Sequence, residues 1–284
     1  MKMDDYKISC VMTTYRRFTC VERSISMFLD QDYEGQMEMI VFNTDEEYPL
    51  TIGESLKYKN INVINNNIDY KTKQKYDNVG SIRRDAVEHA TGTHYICWDD
   101  DDIFLPWNIK QCMNGLRKYP DMWAWKPEYS SFWRSDGILE IAGNVMEASI
   151  ISKLDKIKEH GFKDHKGGGE HWQWLQKFMD DKKIKVDSDS IPGYCFNWSD
   201  QGIIRGHKQS GTMAHPNNFN IHKENTKDFA TRNLETYDRV KLNEIYQKFV
   251  ELLRSQIGII NNNQYVITQE NYDKYVKQYE GKFI

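Results

Sequence analysis

Tyr95-Ile96-Cys97-Trp98 runs straight into Asp99-Asp100-Asp101-Asp102, and Ile103-Phe104-Leu105-Pro106 follows at once. A short apolar run of this kind reads as a buried parallel strand. Four adjacent carboxylates at its end repel one another and cost stability unless positive charge sits among them. A hard divalent cation answers that need, since Mg²⁺ or Mn²⁺ takes one or two carboxylates together with substrate phosphates. Open α/β sheets bind ligands outside the carboxyl ends of their strands, which is where this run falls. A solvated acidic loop, with one Asp capping the helix after Pro106, is the plainer alternative. It leaves unexplained why the run lies between two apolar segments.

The rest of the chain supplies neighbours for that strand. Lys7 to Met12 reads as a first strand, with Thr13-Thr14-Tyr15-Arg16-Arg17 as the loop after it. Val21, Ile25, Phe28 and Leu29 give Cys20 to Leu29 a helical period, with Thr19 as the expected N-cap. Met37 to Phe42 and Ile61 to Ile64 are the next strands. A helix over Ser81 to Ala90 ends before Gly92. Strands alternating with helices in this way predict an open, mostly parallel α/β sheet. Beyond Pro106 the pattern predicts a helix to Tyr119, short strands at Trp123 to Trp125 and Ser131 to Trp133, and a helix over Ala148 to His160. A glycine loop, Lys166-Gly167-Gly168-Gly169, opens a helix from Glu170 to Met179. Strands are expected at Lys183 to Val186 and Tyr194 to Trp198. From about Thr231 to Gln256, Leu234, Val240, Leu242, Ile245, Phe249, Leu252 and Leu253 form a long apolar stripe. A lone helix of that length is marginal in water, so the stripe must be buried, and packing on the same chain is expected.

Composition narrows the class. A net charge of −4 argues against bulk electrostatic binding of nucleic acid. The five cysteines are odd in number and scattered, with no Cys-x-x-Cys pair, so neither a zinc knuckle nor a disulfide framework is indicated. No apolar stretch is long enough to span a bilayer and Met1 to Tyr6 lacks an apolar leader core, so a cytoplasmic chain is expected, in the host cytoplasm if it is viral. No Gly-x-Gly-x-x-Gly and no Walker A pattern is present, which argues against dinucleotide and P-loop sites.

Three stretches converge at the carboxyl ends of the expected strands: Thr13 to Arg17, Asn43 to Asp45 and Asp99 to Asp102. With them the sequence resembles the family 2 glycosyltransferases of GT-A fold. Ser9 to Arg17 resembles that family's opening strand and its Thr-Tyr-Asn-Arg loop. Gly80-Ser81-Ile82-Arg83-Arg84, together with Ala90 to Ile96, resembles the stretch before its Asp-x-Asp motif. Asp99-Asp100-Asp101 resembles the motif itself. The resemblance is clear over residues 7 to about 115, weaker to about 215, and absent beyond.

The resemblance implies a nucleoside-diphosphate sugar donor, most often a UDP-sugar, with Mn²⁺ or Mg²⁺ bridging its phosphates to the Asp run. Asp101 is then the main metal ligand, with Asp99 near the ribose or the metal and Asp100 near the nucleoside. Arg83 faces the base or the phosphates, and Thr13, Tyr15, Arg16, Asn43 and Asp45 complete the donor site. The chain departs from the family where Asn43-Thr44-Asp45-Glu46 replaces Asp-Asp-Gly-Ser, which leaves the nucleobase open. Arg16 stands where the family has Asn. Gly169-Glu170-His171-Trp172 resembles the family's Glu-Asp motif at the start of an acceptor-side helix, so Glu170 or His171 is the general base of an inverting reaction, with Glu170 the expected one. Asn197 to Gly211 resembles the late loop that closes over the donor, where His207, with His215 next, would complete the metal shell. Trp133 and Trp172 are the expected acceptor-stacking rings; Trp174, two residues on, cannot share a helix face with Trp172.

The implied organisation is a GT-A-like catalytic domain over 1–215, with a nucleotide-sugar half to about 105 and an acceptor half over 106–215, then a helical C-terminal extension over 216–284. The acceptor is a hydroxyl of open class: a glycan, a lipid-linked or protein hydroxyl, or a hydroxymethylated base of phage or viral DNA. Two other readings compete. A metal-dependent phosphoesterase or nucleotidyltransferase could use the same Asp cluster, but His89, His94, His160, His165 and His171 fall in no recognisable ligand spacing. A non-catalytic sugar- or nucleotide-binding module is the other.

Overall fold

The computed structural model describes residues 6–133, 139–143, 146–164, 169–197, 233–258 and 267–283. Its first strand, β1 (Lys7–Thr14), buries Ile8, Cys10, Val11 and Met12, residues from both faces, as a central parallel strand must. Helix α1 (Phe18–Leu29) turns Val21, Ile25 and Phe28 onto the sheet. It begins at Arg17 without a side-chain cap, so Thr19 is inside the helix and not its N-cap. The remaining strands of this half are β2 (Gln36–Asn43), a short β3 (Thr51–Ile52), β4 (Ile61–Asn65) and β5 (His94–Cys97). Between β4 and β5, helix α2 (Val79–Val87) is capped by Asn78, whose side chain accepts from Ser81 N at 2.8 Å.

The elements after the Asp run are β6 (Ile103–Phe104), α3 (Asn108–Arg117), β7 (Ala124–Pro127), β8 (Tyr129–Trp133), β9 (Leu139–Gly143), β10 (Ile151–Lys153), α4 (Leu154–His160), α5 (Trp172–Asp180), β11 (Ile184–Asp187) and β12 (Tyr194–Asn197). The main sheet has the order β11-β7-β10-β5-β1-β2-β4. All its pairs are parallel except those of β10, which runs antiparallel to β5 and β7. A second sheet has the order β6-β12-β8-β9. The helix expected over Ala148 to His160 is therefore corrected. Its first part is a 3₁₀ turn at Glu147–Ser149 and the strand β10, and only Leu154–His160 is helical. The β-branched Ile150 and Ile151 are buried, Ile151 within the main sheet between Ile96 and Trp125, and tertiary burial outweighs the helical period there.

The Asp run is the crossing between the two sheets. Trp98, just before it, and Phe104, just after it, stack with ring centroids 3.8 Å apart. That contact explains the apolar segments on either side: they close on each other and hold the four aspartates as a loop. All five cysteines are buried, and none of them is in a disulfide.

After β13 (Asn233–Leu234), which pairs with β3, come α6 (Arg239–Ser255) and α7 (Gln269–Tyr275). Helix α6 buries Leu242, Ile245, Tyr246, Phe249 and Leu253, while Val240 is exposed and Leu234 belongs to β13, so the stripe is narrower than its sequence suggests. It packs on the same chain. Tyr237 N donates to Ser26 Oγ at 2.8 Å, Tyr246 Oη reaches Asp30, and Phe249 meets the Trp133 ring edge-on at 5.9 Å. Among the described residues no helix is long and apolar enough to cross a membrane.

Candidate active site

The positive charge that four aspartates require is supplied by arginines. Arg17 Nη1 donates to Asp100 Oδ1 at 2.9 Å and to Asp101 Oδ2 at 2.5 Å. Arg83 Nη2 donates to Asp99 Oδ1 at 2.8 Å. Arg23, wholly buried, points Nη2 at the carbonyls of Asp100 and Asp102. Asp102 is structural: it is fully buried and accepts from Tyr194 Oη at 2.5 Å and Asn197 N at 3.0 Å, which ties β12 to the run. The repulsion argument for a cation is thereby corrected, because guanidinium groups already answer it. The donor chemistry still suits a hard divalent cation, since the Asp99 and Asp101 side chains are carboxylates and remain 24% and 11% exposed. Asp100 is 2% exposed and accepts from Thr14 Oγ1 at 2.6 Å, so it holds the loop and does not face a nucleoside. Burial pushes its carboxyl up to about 6, against the pull of Arg17.

On the other side of the β1 loop lies a cleft of about 590 Å³, lined by Tyr15, Arg16, Thr44, Asp45, Asn67 and Tyr76 among others. Arg16 Nε donates to Asp45 Oδ2 at 2.8 Å and a second guanidinium nitrogen reaches Glu47. Adjacent arginines thus serve opposite neighbours: Arg16 the cleft, Arg17 the Asp run. Arg16 has φ of +52°, the left-handed region, which is what parts the two. Asn enters that region several-fold more readily than most residues, and the family's loop has Asn there. Arg16→Asn is therefore expected to leave the thermal midpoint within about 2–4 °C, since backbone relief offsets the lost ion pairs. It should free Asp45 and change nucleotide affinity; a differential scanning melt with and without nucleotides measures both. Thr13, half-buried, pairs in register with Phe42. Asn43 is 2% exposed and donates to Tyr48 O and Asn65 Oδ1, so it fastens β2 to β4 and is removed from the donor contacts.

Behind the Asp run is a buried polar cluster. Arg83 is its centre: Nη2 on Asp99, Nη1 on Glu147 Oε2 at 2.9 Å, Nε 2.8 Å from Glu170 Oε1, and the Cys97 thiol in contact. Arg83 was expected to face base or phosphates; here its ion pairs are with the buried Glu147 and Glu170 and with the partly exposed Asp99. Glu170 is corrected too: it is 0% exposed, so it lies behind the cleft and does not open onto it. His171 is 4% exposed, and burial lowers its imidazole to about 4. Its ring lies against Trp172, centroids 5.5 Å apart, and Trp172 is 44% exposed. Trp133 is buried under α6, so its ring is not free to stack on an acceptor. His207 and His215 lie outside the described residues. Arg17 and Glu147 were not singled out in the sequence. Arg17 could have been found, as the arginine of the opening loop; nothing in the run Val145-Met146-Glu147 marks Glu147.

An open, mostly parallel sheet with an acidic run at the end of a central strand and a cleft at the neighbouring strand ends is the GT-A glycosyltransferase architecture. The family described as glycosyl transferase family 2 matches residues 9–166. That is more than half of the chain, and the chain belongs to this family. A curated Escherichia coli relative, UDP-Glc:alpha-D-GlcNAc-diphosphoundecaprenol beta-1,3-glucosyltransferase WfgD, is 24% identical over 116 residues, 41% of this chain and 43% of that protein. The crystal structure of S. aureus TarS 1-349 in complex with UDP-GlcNAc has a TM-score of 0.51 at 14% identity, covering 87% of this chain and 66% of that one. A longer TarS structure has a TM-score of 0.52 at 15% identity, covering 67% of this chain and 36% of that one. The chain thus spans less than two thirds of each of these relatives.

Proposed function

We propose that this protein transfers a sugar from a nucleoside-diphosphate sugar, with UDP-sugars the first candidates, to a hydroxyl acceptor, and inverts the anomeric centre. The observation that carries the reading is the convergence of the β1 loop, Asp45 and the Asp run at the carboxyl ends of β1, β2 and β5, beside a cleft of nucleoside size. The names of the relatives, a UDP-glucose enzyme and a UDP-GlcNAc complex, support a UDP-sugar donor. Tyr15 offers a ring face and Asp45 an acceptor to the base. Mn²⁺ or Mg²⁺, held by Asp99 and Asp101, would neutralise the charge that develops on the leaving diphosphate. Arg17, already on Asp101, supplies a second positive charge on the same side. On the acceptor side, Trp172 presents an exposed ring to a sugar, and the opening of α5 supplies the base. A glycan hydroxyl is the favoured acceptor; the net charge of −4 counts against a DNA base.

The test is incubation with a panel of nucleotide sugars and Mn²⁺. Release of free nucleoside diphosphate from one donor is expected, and its loss with EDTA and return with added Mn²⁺. Binding of nucleotide with no release of diphosphate would favour a non-catalytic module; release of nucleoside monophosphate would favour a phosphoesterase or nucleotidyltransferase.

A further inference from the structure

We propose that a cavity at the opposite end of the main sheet from the Asp run is a second ligand site, for a small organic anion with an apolar body. The cavity has a volume of about 540 Å³, within the range of small-molecule sites. It lies at the amino ends of β1 and β5, where Tyr6 and His94 line it. The Asp run begins past the carboxyl end of β5, at Asp99, so roughly 16 Å of extended chain parts it from His94. The cavity shares no lining residue with the cleft beside the β1 loop. The site therefore holds or fails independently of the transferase reading.

The cavity forms where α3, α4 and the turn before β5 meet. Gly92 lets that turn press on β1: a methyl group there would stand 2.5 Å from the Lys7 carbonyl oxygen. Met113 and Leu116 of α3 and Leu154 of α4, all three buried, supply an apolar wall. Tyr6 packs edge-on against His94, with ring centroids 5.1 Å apart. A cavity of this size and lining takes up most of the surface of a freely diffusing small molecule.

Charge selects the ligand. Arg117, Lys153 and Lys158 line the cavity, against Asp155 as the one acid among its described lining residues. The chain as a whole carries −4, so the excess of cations is local. Arg117 Nη2 donates to Tyr33 Oη at 3.3 Å, and its guanidinium lies over the Tyr6 ring at 5.4 Å. Lys153 Nζ donates to the Pro120 carbonyl oxygen at 3.0 Å. Both side chains belong to half-buried residues, and neither makes an ion pair among the described residues. Lys158 differs, with Nζ 3.7 Å from Glu88 Oε2. Half-buried cations beside an apolar wall are short of counter-charge. A carboxylate, sulfonate or phosphate supplies it through charge-assisted hydrogen bonds, while the body of the ligand covers the wall. His94 senses the same field. Burial lowers its imidazole to about 4, and Lys153 and Arg117 push it the same way against Asp155.

The probe for the test is anilinonaphthalene sulfonate, an aromatic monoanion, with phenylnaphthylamine as the same body without the charge. Fluorescence titration of the whole chain should show one saturable sulfonate site, with an affinity that UDP and Mn²⁺ leave unchanged. That affinity should fall at least about 10-fold in Arg117→Met and in Lys153→Met, which keep the apolar stems, and the neutral analogue should bind the wild type more weakly by a similar factor. The imidazole NMR signals of His94 in the wild type should shift as the sulfonate saturates, a readout that needs no variant to fold. Unmoved His94 signals, displacement of the sulfonate by UDP, or a neutral analogue that binds as tightly overturns the proposal. So does wild-type affinity in both methionine variants. Pelleting of the chain with phosphatidylglycerol vesicles but not with phosphatidylcholine, and its prevention by the sulfonate, would place the anion on a lipid and overturn the soluble ligand.

Discussion

Arg83→Met is expected to destabilise the protein by about 3–5 kcal/mol, the usual cost of removing one partner from a buried ion pair. The methionine fills the space of the arginine stem but leaves Asp99, Glu147 and Glu170 with no shared cation, and two of these are almost fully buried. Arg83→Lys should restore little, because one ammonium cannot present three donors in the planar fork that meets these carboxylates. Urea denaturation measures the loss. Its pH dependence carries a sign. Glu147 is raised from 4.5 to about 8 in the folded chain, so its contribution to stability is complete below about 4.5 and is lost as pH rises through 8. Without the arginine the carboxyl is pushed further up. The deficit of Arg83→Met should therefore be smaller at pH 5 than at pH 8. A variant as stable as the wild type at pH 8 would mean that the cluster is balanced by something other than Arg83.

Asp101→Ala is expected to cut nucleotide release by at least about 10²-fold while leaving the fold intact. The fold should survive because Arg17 keeps its bond to Asp100, and the loop keeps Asp102 on Tyr194 and Asn197. The loss should appear together with loss of the Mn²⁺-dependent part of a nucleotide thermal shift, since ligand bound to the native state raises its apparent stability. Full turnover in Asp101→Ala would end the assignment of the metal to this run. Loss of turnover with metal-dependent nucleotide binding intact would move the role of Asp101 from holding the cation to orienting Arg17.

The fold was largely legible because its strands are short, apolar and buried on both faces, as at Ile8 to Met12 and Tyr95 to Cys97. Strand β10 was not, because Ile150, Ile151, Leu154 and Ile157 satisfy a helical period as well as they satisfy a strand followed by a helix. Only their position between β5 and β7 decides. The acidic run was legible as a site, but its charge partners were not: Arg17, Arg23 and Arg83 are distant from it in sequence and local charge patterning is silent about them. The same limit hid Glu147, whose importance comes from three contacts made across the fold to α2, β5 and the opening of α5. Trp133 shows the opposite failure. It was expected as an acceptor-stacking ring, and the tail helix α6 covers it.

The glycine at the start of α2 bears on how the molecule can move. A methyl group at Gly80 would stand 2.0 Å from the Lys163 carbonyl oxygen and 3.2 Å from Glu170 Cβ, so the first turn of α2 touches the segment between α4 and α5 backbone to backbone. Two surfaces meshed at that range have no slack for hinge or shear, because packed interiors repack in steps and do not slide. Helix α2 and the segment before α5 should therefore move as one solid block. Entry and exit of substrates then fall to the connections at the strand ends, and crosslinking α2 to the segment before α5 should cost the enzyme no speed.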